Sequence, residues 1–261
     1  MSLIHNTSLI SPKAKIGNNV KIGPFCVIAN DVVIGDDSEI ASHVVIKKGT
    51  IIGEGAKIFS HAILGGEPQN NKHKGGYTSL EIGKNCVIRE GVTMHKGSDN
   101  CNGKTIIGNN CMFLAYAHVA HDCIVGNNVT LANNVMLGGH VELGDNVNIG
   151  GGGAVHQFVR VGHNAFVGGL AALVRDLIPY GTAIGVQAHF AGLNIVGMKR
   201  FDIARAEIHN ARHAVKKLFD KSKPVSERVY EIQAEFENSP LVQDIINFIL
   251  KDTKRFYCIP S

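Results

Sequence analysis

The chain has 261 residues, of which 44% are hydrophobic, 18% charged and only 6% aromatic, with no Trp and 30 Gly. It is too apolar and too sparsely charged for a disordered chain, it lacks the third-position Gly of collagen, and it holds no run of about 18 apolar residues that would cross a membrane. A formal charge of +4, from 26 basic and 22 acidic residues, is too mild to mark a nucleic-acid binder.

Met1 to Gly17 shows no charged start followed by an apolar run, so the expectation is a cytoplasmic protein without a secretory leader or an integral membrane segment. From Ile4 an aliphatic residue recurs at every sixth position, through Ile10, Ile16 and Ile22 to Ile58 and Leu64. The fourth residue after an anchor is usually small or β-branched, as at Ala14, Val20, Cys26 and Val32, and Gly often follows the anchor, as at Gly17, Gly23, Gly35 and Gly53. The pattern lapses over 65–81, returns in phase at Ile82, Ile88 and Met94, lapses again over 95–105, and resumes one residue out of phase from Ile107 to Leu173.

A period of six matches neither a helix face nor simple strand alternation. It matches short strands joined by sharp turns, three to a triangular coil of eighteen residues, with coils stacked by parallel pairing at about 4.8 Å. A chance period in an ordinary β-domain does not survive so many unbroken anchors. Cys26, Cys86, Cys111 and Cys123 fall in the small inward slot, where a thiol packs as a small hydrophobe rather than acting as a nucleophile. The six Cys form no CxxC pair, which argues against a disulfide framework or a Cys-based zinc site; Cys101 and Cys258 lie outside the repeat.

From Gly185 the composition changes. An amphipathic helix is predicted over Phe201 to Lys221, a second over Val225 to Glu237, and a third beginning at Ser239-Pro240, an N-cap followed by Pro at the first helical position. The predicted division is therefore a β-solenoid over 1–185 and an α-helical domain over 186–261. Residues 199–223 carry Lys199, Arg200, Arg205, Arg212, Lys216, Lys217, Lys221 and Lys223 against Asp202, Glu207 and Asp220. That is either a solvated helix face or a docking surface for an acidic protein.

The eighteen-residue coil places residues 120–122, 138–140 and 156–158 at one corner of three successive coils. His121, Asp122, Gly139, His140, His156 and Gln157 thus form a vertical strip, with His118 on the approach to it. A His followed by a carboxylate, beside Gly138-Gly139 with accessible backbone N–H groups, suits a general base with oxyanion stabilisation. A zinc centre is the competing reading, ranked lower because the strip holds no Cys or Glu. No GxSxG elbow occurs, which favours direct attack by a substrate hydroxyl over an acyl-enzyme.

The repeat resembles the hexapeptide family of left-handed β-helices over about residues 1–185. The stretch Ala117-His118-Val119-Ala120-His121-Asp122-Cys123 is similar to the active-site segment of the UDP-N-acetylglucosamine O-acyltransferases, the family that opens lipid A biosynthesis. Leu131-Ala132-Asn133-Asn134, Gly138-Gly139-His140-Val141, Ile149-Gly150-Gly151, Ala154-Val155-His156-Gln157-Phe158 and Gly197-Met198-Lys199-Arg200 match it too, and the likeness runs along essentially the whole chain.

The resemblance implies a left-handed parallel β-helix with a C-terminal α-helical domain. It implies transfer of a 3-hydroxyacyl group from acyl carrier protein to the 3-position of UDP-N-acetylglucosamine, by a homotrimer with sites between subunits and without a metal or other cofactor. His121 is then the base, Asp122 its support and the Gly139 backbone the oxyanion donor. His118 and His140 line the sugar site, and His156 and Gln157 contact the nucleotide or carrier portions. Asn194 and Arg200 meet the phosphates, Lys72 contacts substrate, and Gly169 stands where acyl length is limited. Three positions depart from the family pattern. Asn70 replaces an Asp near the reacting sugar position, Gln187 replaces a His, and Val196 replaces an acid at the ribose. Asn70 serves the normal sugar or suits a 3-amino analogue. Outside this family, an acetyl-CoA-dependent hexapeptide acetyltransferase, a carbonic-anhydrase-like metal solenoid and a non-catalytic binding solenoid remain as alternatives.

Overall fold

The computed structural model describes residues 2–220, 222–251 and 255–261. Two-residue strands alternate with tight turns to form a triangular prism that winds left-handed. Its three faces are sheets of 11, 9 and 8 strands, beginning with Leu3–Ile4, Leu9–Ile10 and Lys15–Ile16 respectively. Within the coils every strand pairs in parallel with the strand one coil on.

The anchors fill the interior. Ile28, Ile46, Ile58, Leu64, Phe113, Leu131 and Val155 are all buried, and so are the small slots beside them. Ile4, in the first coil, is 47% exposed. The four slot cysteines are buried, and each thiol points at a carbonyl of the next coil, as Cys123 Sγ does at Gly138 O at 3.2 Å. Burial pushes the Cys123 thiol up to about 12, so it stays protonated and inert near neutral pH.

Most partners are eighteen positions apart, as Lys21 is with Glu39. At two coils the spacing widens, Ile63 pairing with Thr93 and Thr93 with His118. The extra residues leave the prism between Ile63–Gly66 and Ser79–Ile82, and again between Thr93–His95 and Lys104–Ile107. Both interruptions therefore emerge at the corner between the second and third faces. They are fastened to one another by buried Lys96, whose Nζ lies 3.0 Å from Glu67, and by His73 Nδ1 at 3.1 Å from Asp99.

Strands Gly181–Ile184 and His189–Leu193 close the first sheet as an antiparallel pair. Four helices follow, α1 (Ile195–Arg200), α2 (Arg205–Leu218), α3 (Val225–Glu235) and α4 (Pro240–Leu250). The predicted helix from Phe201 is thus corrected. Residues 195–200 form a short helix of their own that ends at Phe201, and α2 begins only at Arg205; Lys221 lies outside the described residues. Ser239 precedes α4 but does not cap it with its own hydroxyl. Its Oγ donates to Glu207, which also accepts from the Leu241 N–H, so a carboxylate from α2 serves that end. Helix α4 rests on the prism through Phe248 under the Arg160 guanidinium, which Asp176 holds at 2.8 Å, and through Asp244 at 2.6 Å from His163. Among the described residues no helix is long and apolar enough to cross a membrane.

Candidate active site

The His strip sits at the corner from which both interruptions emerge. Asp122, His140 and Phe158 each adopt the left-handed backbone, with φ of 59°, 60° and 64°, as the second residue of successive turns. Their stacking is held by backbone bonds, His140 N–H to His121 O and Phe158 N–H to Gly139 O, both 3.0 Å. The rings follow the backbone. His140 stacks on Phe158 with centroids 4.5 Å apart, and His121 meets His140 edge-on at 5.3 Å.

His121 Nδ1 lies 2.7 Å from Asp122 Oδ2. A carboxylate accepts, so Nδ1 carries the hydrogen and the Nε2 lone pair is left for a substrate. Asp122 is fully buried and firmly held. It accepts from the Ser98 N–H at 3.0 Å and from the Ser98 hydroxyl, while its own N–H donates to Thr105 Oγ1 at 2.8 Å. Asn70 reaches the same network. Its Nδ2 donates to Ser98 Oγ at 3.1 Å and its Oδ1 accepts the Lys72 N–H at 3.0 Å. The chain of contacts therefore runs from Asn70 through Ser98 and Asp122 to His121.

Gly139 is required beneath His121. A Cβ there would lie 2.6 to 2.8 Å from the imidazole. The expectation of two accessible N–H groups is half corrected. The Gly138 N–H is committed to Val155 O at 2.9 Å, whereas the Gly139 N–H has no acceptor among the described residues.

A groove of about 800 Å³ runs from this corner across the second face. His118, His121, Gly139, His156 and Gln157 form its polar end, and Met136, Ala154, Ala172 and Val174 its apolar floor. The floor follows from register, since His118 pairs with Met136, Met136 with Ala154 and Ala154 with Ala172, all on the outward side. His118 Nδ1 is 2.8 Å from Thr93 Oγ1, and its ring abuts His95 edge-on. Burial, and secondarily the neighbouring His118, lower His95 to about 4; burial, then His121, lower His118 as well. Both are neutral rings near pH 7, fitted to hydrogen bonding rather than to charge.

Other expected residues lie elsewhere. Asn194 and Arg200 line a second groove of about 590 Å³ on the first face, with Asn148, Phe166, Thr182 and Val196. There Asn194 caps α1 by accepting the Gly197 N–H and donates to Asn164 O, both at 3.0 Å. Gly169 sits at the far corner of the second face, in the turn before Ala172, and lines neither groove. Lys72 is exposed on the first interruption, and Gln187 on the loop between the last two strands.

Ser98, Thr105, Thr93 and His95 were not singled out from the sequence, nor was Arg255, whose guanidinium donates to His156 Nδ1 at 2.8 Å. Thr93 was within reach, because it precedes its anchor as His118 does one coil later; Ser98 was not, because no period spans the interruption. The premise that kept zinc low is also corrected. Exposed Cys101, from the second interruption, reaches the strip, with Sγ 3.8 Å from His140 Nε2.

Residues 176–258 match the family model for UDP N-acetylglucosamine O-acyltransferase, domain 2, and residues 13–48 and 104–139 match the bacterial transferase hexapeptide model of six repeats. The chain is 64% identical over 258 residues to the acyl-(acyl-carrier-protein)–UDP-N-acetylglucosamine O-acyltransferase of Bartonella henselae, covering 99% of this chain and 94% of that one. It superposes on the UDP-N-acetylglucosamine acyltransferase of Campylobacter jejuni with a TM-score of 0.92 at 37% identity, covering 99% and 100% of the two chains. On the UDP-N-acetylglucosamine O-acyltransferase of Moraxella catarrhalis the TM-score is 0.91 at 35% identity, covering 98% and 99%.

Proposed function

The chain belongs to the family of acyl-(acyl-carrier-protein)–UDP-N-acetylglucosamine O-acyltransferases, and we infer that it moves a 3-hydroxyacyl group from acyl carrier protein to the 3-hydroxyl of UDP-N-acetylglucosamine, in lipid A biosynthesis. The observation that carries the mechanism is the corner itself, where a His oriented by a buried carboxylate packs against Gly139, whose N–H has no acceptor among the described residues.

His121 Nε2 takes the proton of the sugar 3-hydroxyl as its oxygen attacks the thioester carbonyl. The Gly139 N–H donates to the oxyanion of the tetrahedral intermediate. The C–S bond then breaks, and the carrier's sulfur leaves with the proton returned by His121. Asp122 stabilises the imidazolium in between. The His118–Thr93 pair and His140 shape the sugar end, and His156, steadied by Arg255, and Gln157 contact the nucleotide or carrier portions. The acyl chain follows the floor of Met136, Ala154 and Ala172. Gly169 lies in the turn before Ala172, outside that groove, and a part for it in acyl length rests on the likeness to the family alone.

Asn194 and Arg200 act on the phosphates from a neighbouring subunit of a homotrimer. In a single chain they open on a different face from His121, which supports an interfacial site. Lys199, Arg205, Arg212 and Lys216 are exposed, with no ion-pair partner among the described residues, and suit an acidic carrier protein. Lys217 and Lys223 are instead paired with Glu235 and Glu231. The commitment of Asn70 to Ser98 and Lys72 makes it a fastener of the loop, which favours the ordinary sugar over its 3-amino analogue.

The test is a transfer assay with the purified protein. Donors are 3-hydroxyacyl carrier proteins of several lengths and acetyl-CoA; acceptors are UDP-N-acetylglucosamine and its 3-amino analogue. Product from carrier and ordinary sugar is expected. Turnover with acetyl-CoA alone, or none with any pair, overturns the reading.

A further inference from the structure

We propose that the corner beside the groove is a site for a soft divalent cation, best matched by Zn²⁺, held by Cys101, His140 and Asp122, and that its occupancy switches the enzyme off. The thiol sulfur, an imidazole nitrogen and a carboxylate oxygen of these residues all lie within 4.8 Å of one another. Cys101 Sγ is 3.8 Å from His140 Nε2, and that nitrogen is 3.8 Å from Asp122 Oδ2. In tetrahedral zinc, with bonds of about 2.3 Å to sulfur and about 2.0–2.2 Å to nitrogen and oxygen, adjacent ligand atoms stand roughly 3.3–3.6 Å apart. The two measured gaps therefore need only a few tenths of an ångström. The sulfur-to-oxygen gap is at most 4.8 Å, and Cys101, exposed on the second interruption, can move to close it. Thiolate with imidazole selects zinc-like cations over magnesium or calcium. Binding releases the Cys101 thiol proton to solvent and changes no oxidation state.

The consequence follows from one shared atom. Asp122 Oδ2 is the oxygen that orients His121 at 2.7 Å. A cation on it competes for the lone pair that fixes the base, and it ties down His140, whose ring meets His121 edge-on. The inhibitory half of the proposal rests on the acyltransfer reading, whereas the binding half does not.

Two measurements on the full chain decide it. Cobalt(II) is titrated while the thiolate-to-cobalt absorption is followed, then competed with zinc. Transfer is assayed with and without zinc, followed by a chelator. A cation taken by His209 and His213, on adjacent turns of α2 with ring centroids 4.6 Å apart, would have no sulfur ligand and would not give that band; the other five thiols are buried. The wild type is expected to show one sulfur-dependent site per chain and reversible inhibition. Cys101→Ser is expected to keep its basal rate, lose the band, and need at least ~10-fold more zinc for the same inhibition. No band in the wild type, or equal zinc sensitivity in Cys101→Ser, overturns the site. Cobalt binding without inhibition overturns the switch. A protein inactive with every donor removes the acyltransfer reading, and the absorption titration still decides the site.

Discussion

Two corners of the same coil share a backbone and differ in what they do. At the corner between the third and first faces, the leading turn residue gives its N–H to an Asn or Asp side chain one coil on. Asn18 donates to Asp36 at 2.7 Å, Asn109 to Asn127 at 2.8 Å and Asn127 to Asp145 at 2.7 Å. At the corner between the second and third faces, Gly139 holds the equivalent place, Gln157 stands one coil on, and no such bond forms. One corner closes its donors to stack coils, and the other leaves a donor unbonded among the described residues, on a Gly against which an imidazole packs. The scaffold need not be reshaped to offer a free donor, because a turn without the side-chain rung leaves its leading N–H without an acceptor among the described residues.

The contrast can be broken by substitution, most severely at the base. His121→Ala should lower kcat by ~10³-fold, with the thermal midpoint little changed. Gly139→Ala, which drives a methyl into the imidazole, should cost ~10²-fold in kcat. Ser98→Ala removes a hydroxyl from the buried Asp122, and kcat should drop ~10-fold with KM nearly constant; a KM effect alone would make Ser98 a substrate contact instead. At the other corner, Asp145→Ala should leave turnover intact and lower stability by about 1 kcal/mol, read as a Tm shift of about 2–4 °C.

The smallest effect concerns pH. The folded protein holds His95 neutral down to about 4, against an ordinary value of 6.5. Between those values the unfolded chain binds a proton that the native chain refuses, so stability falls as pH drops through that window. His95→Gln should flatten this slope by a few degrees of Tm, to order of magnitude, between pH 7 and 5; an unchanged slope would mean that other groups set it.

The prism was legible because its period is a property of consecutive residues. Anchors such as Ile28 and Leu131 needed no partner to be identified as core, and the coil length placed His121, Gly139 and Gln157 in one strip. The interruptions were opaque for the matching reason. Ser98 and Cys101 lie where no repeat sets their register, and their positions depend on contacts such as Lys96 with Glu67 that link residues far apart. The start of the helical region was misread at 201–204, because a six-residue helix such as α1 offers too few turns to show a periodic face. Asn194 and Arg200 were assigned to the phosphates by resemblance alone, since no repeat period relates them to the His strip, and in one chain they line a groove on another face.

The most direct test of attack by the sugar hydroxyl without a covalent enzyme intermediate is the intact mass of the protein. The wild type is incubated with 3-hydroxyacyl carrier protein in the absence of sugar, and UDP-N-acetylglucosamine is then added. Direct transfer predicts an unchanged protein mass throughout, with acylated sugar appearing only after the addition and His121→Ala producing almost none. An acyl mass on the protein that disappears when the sugar is added would contradict it.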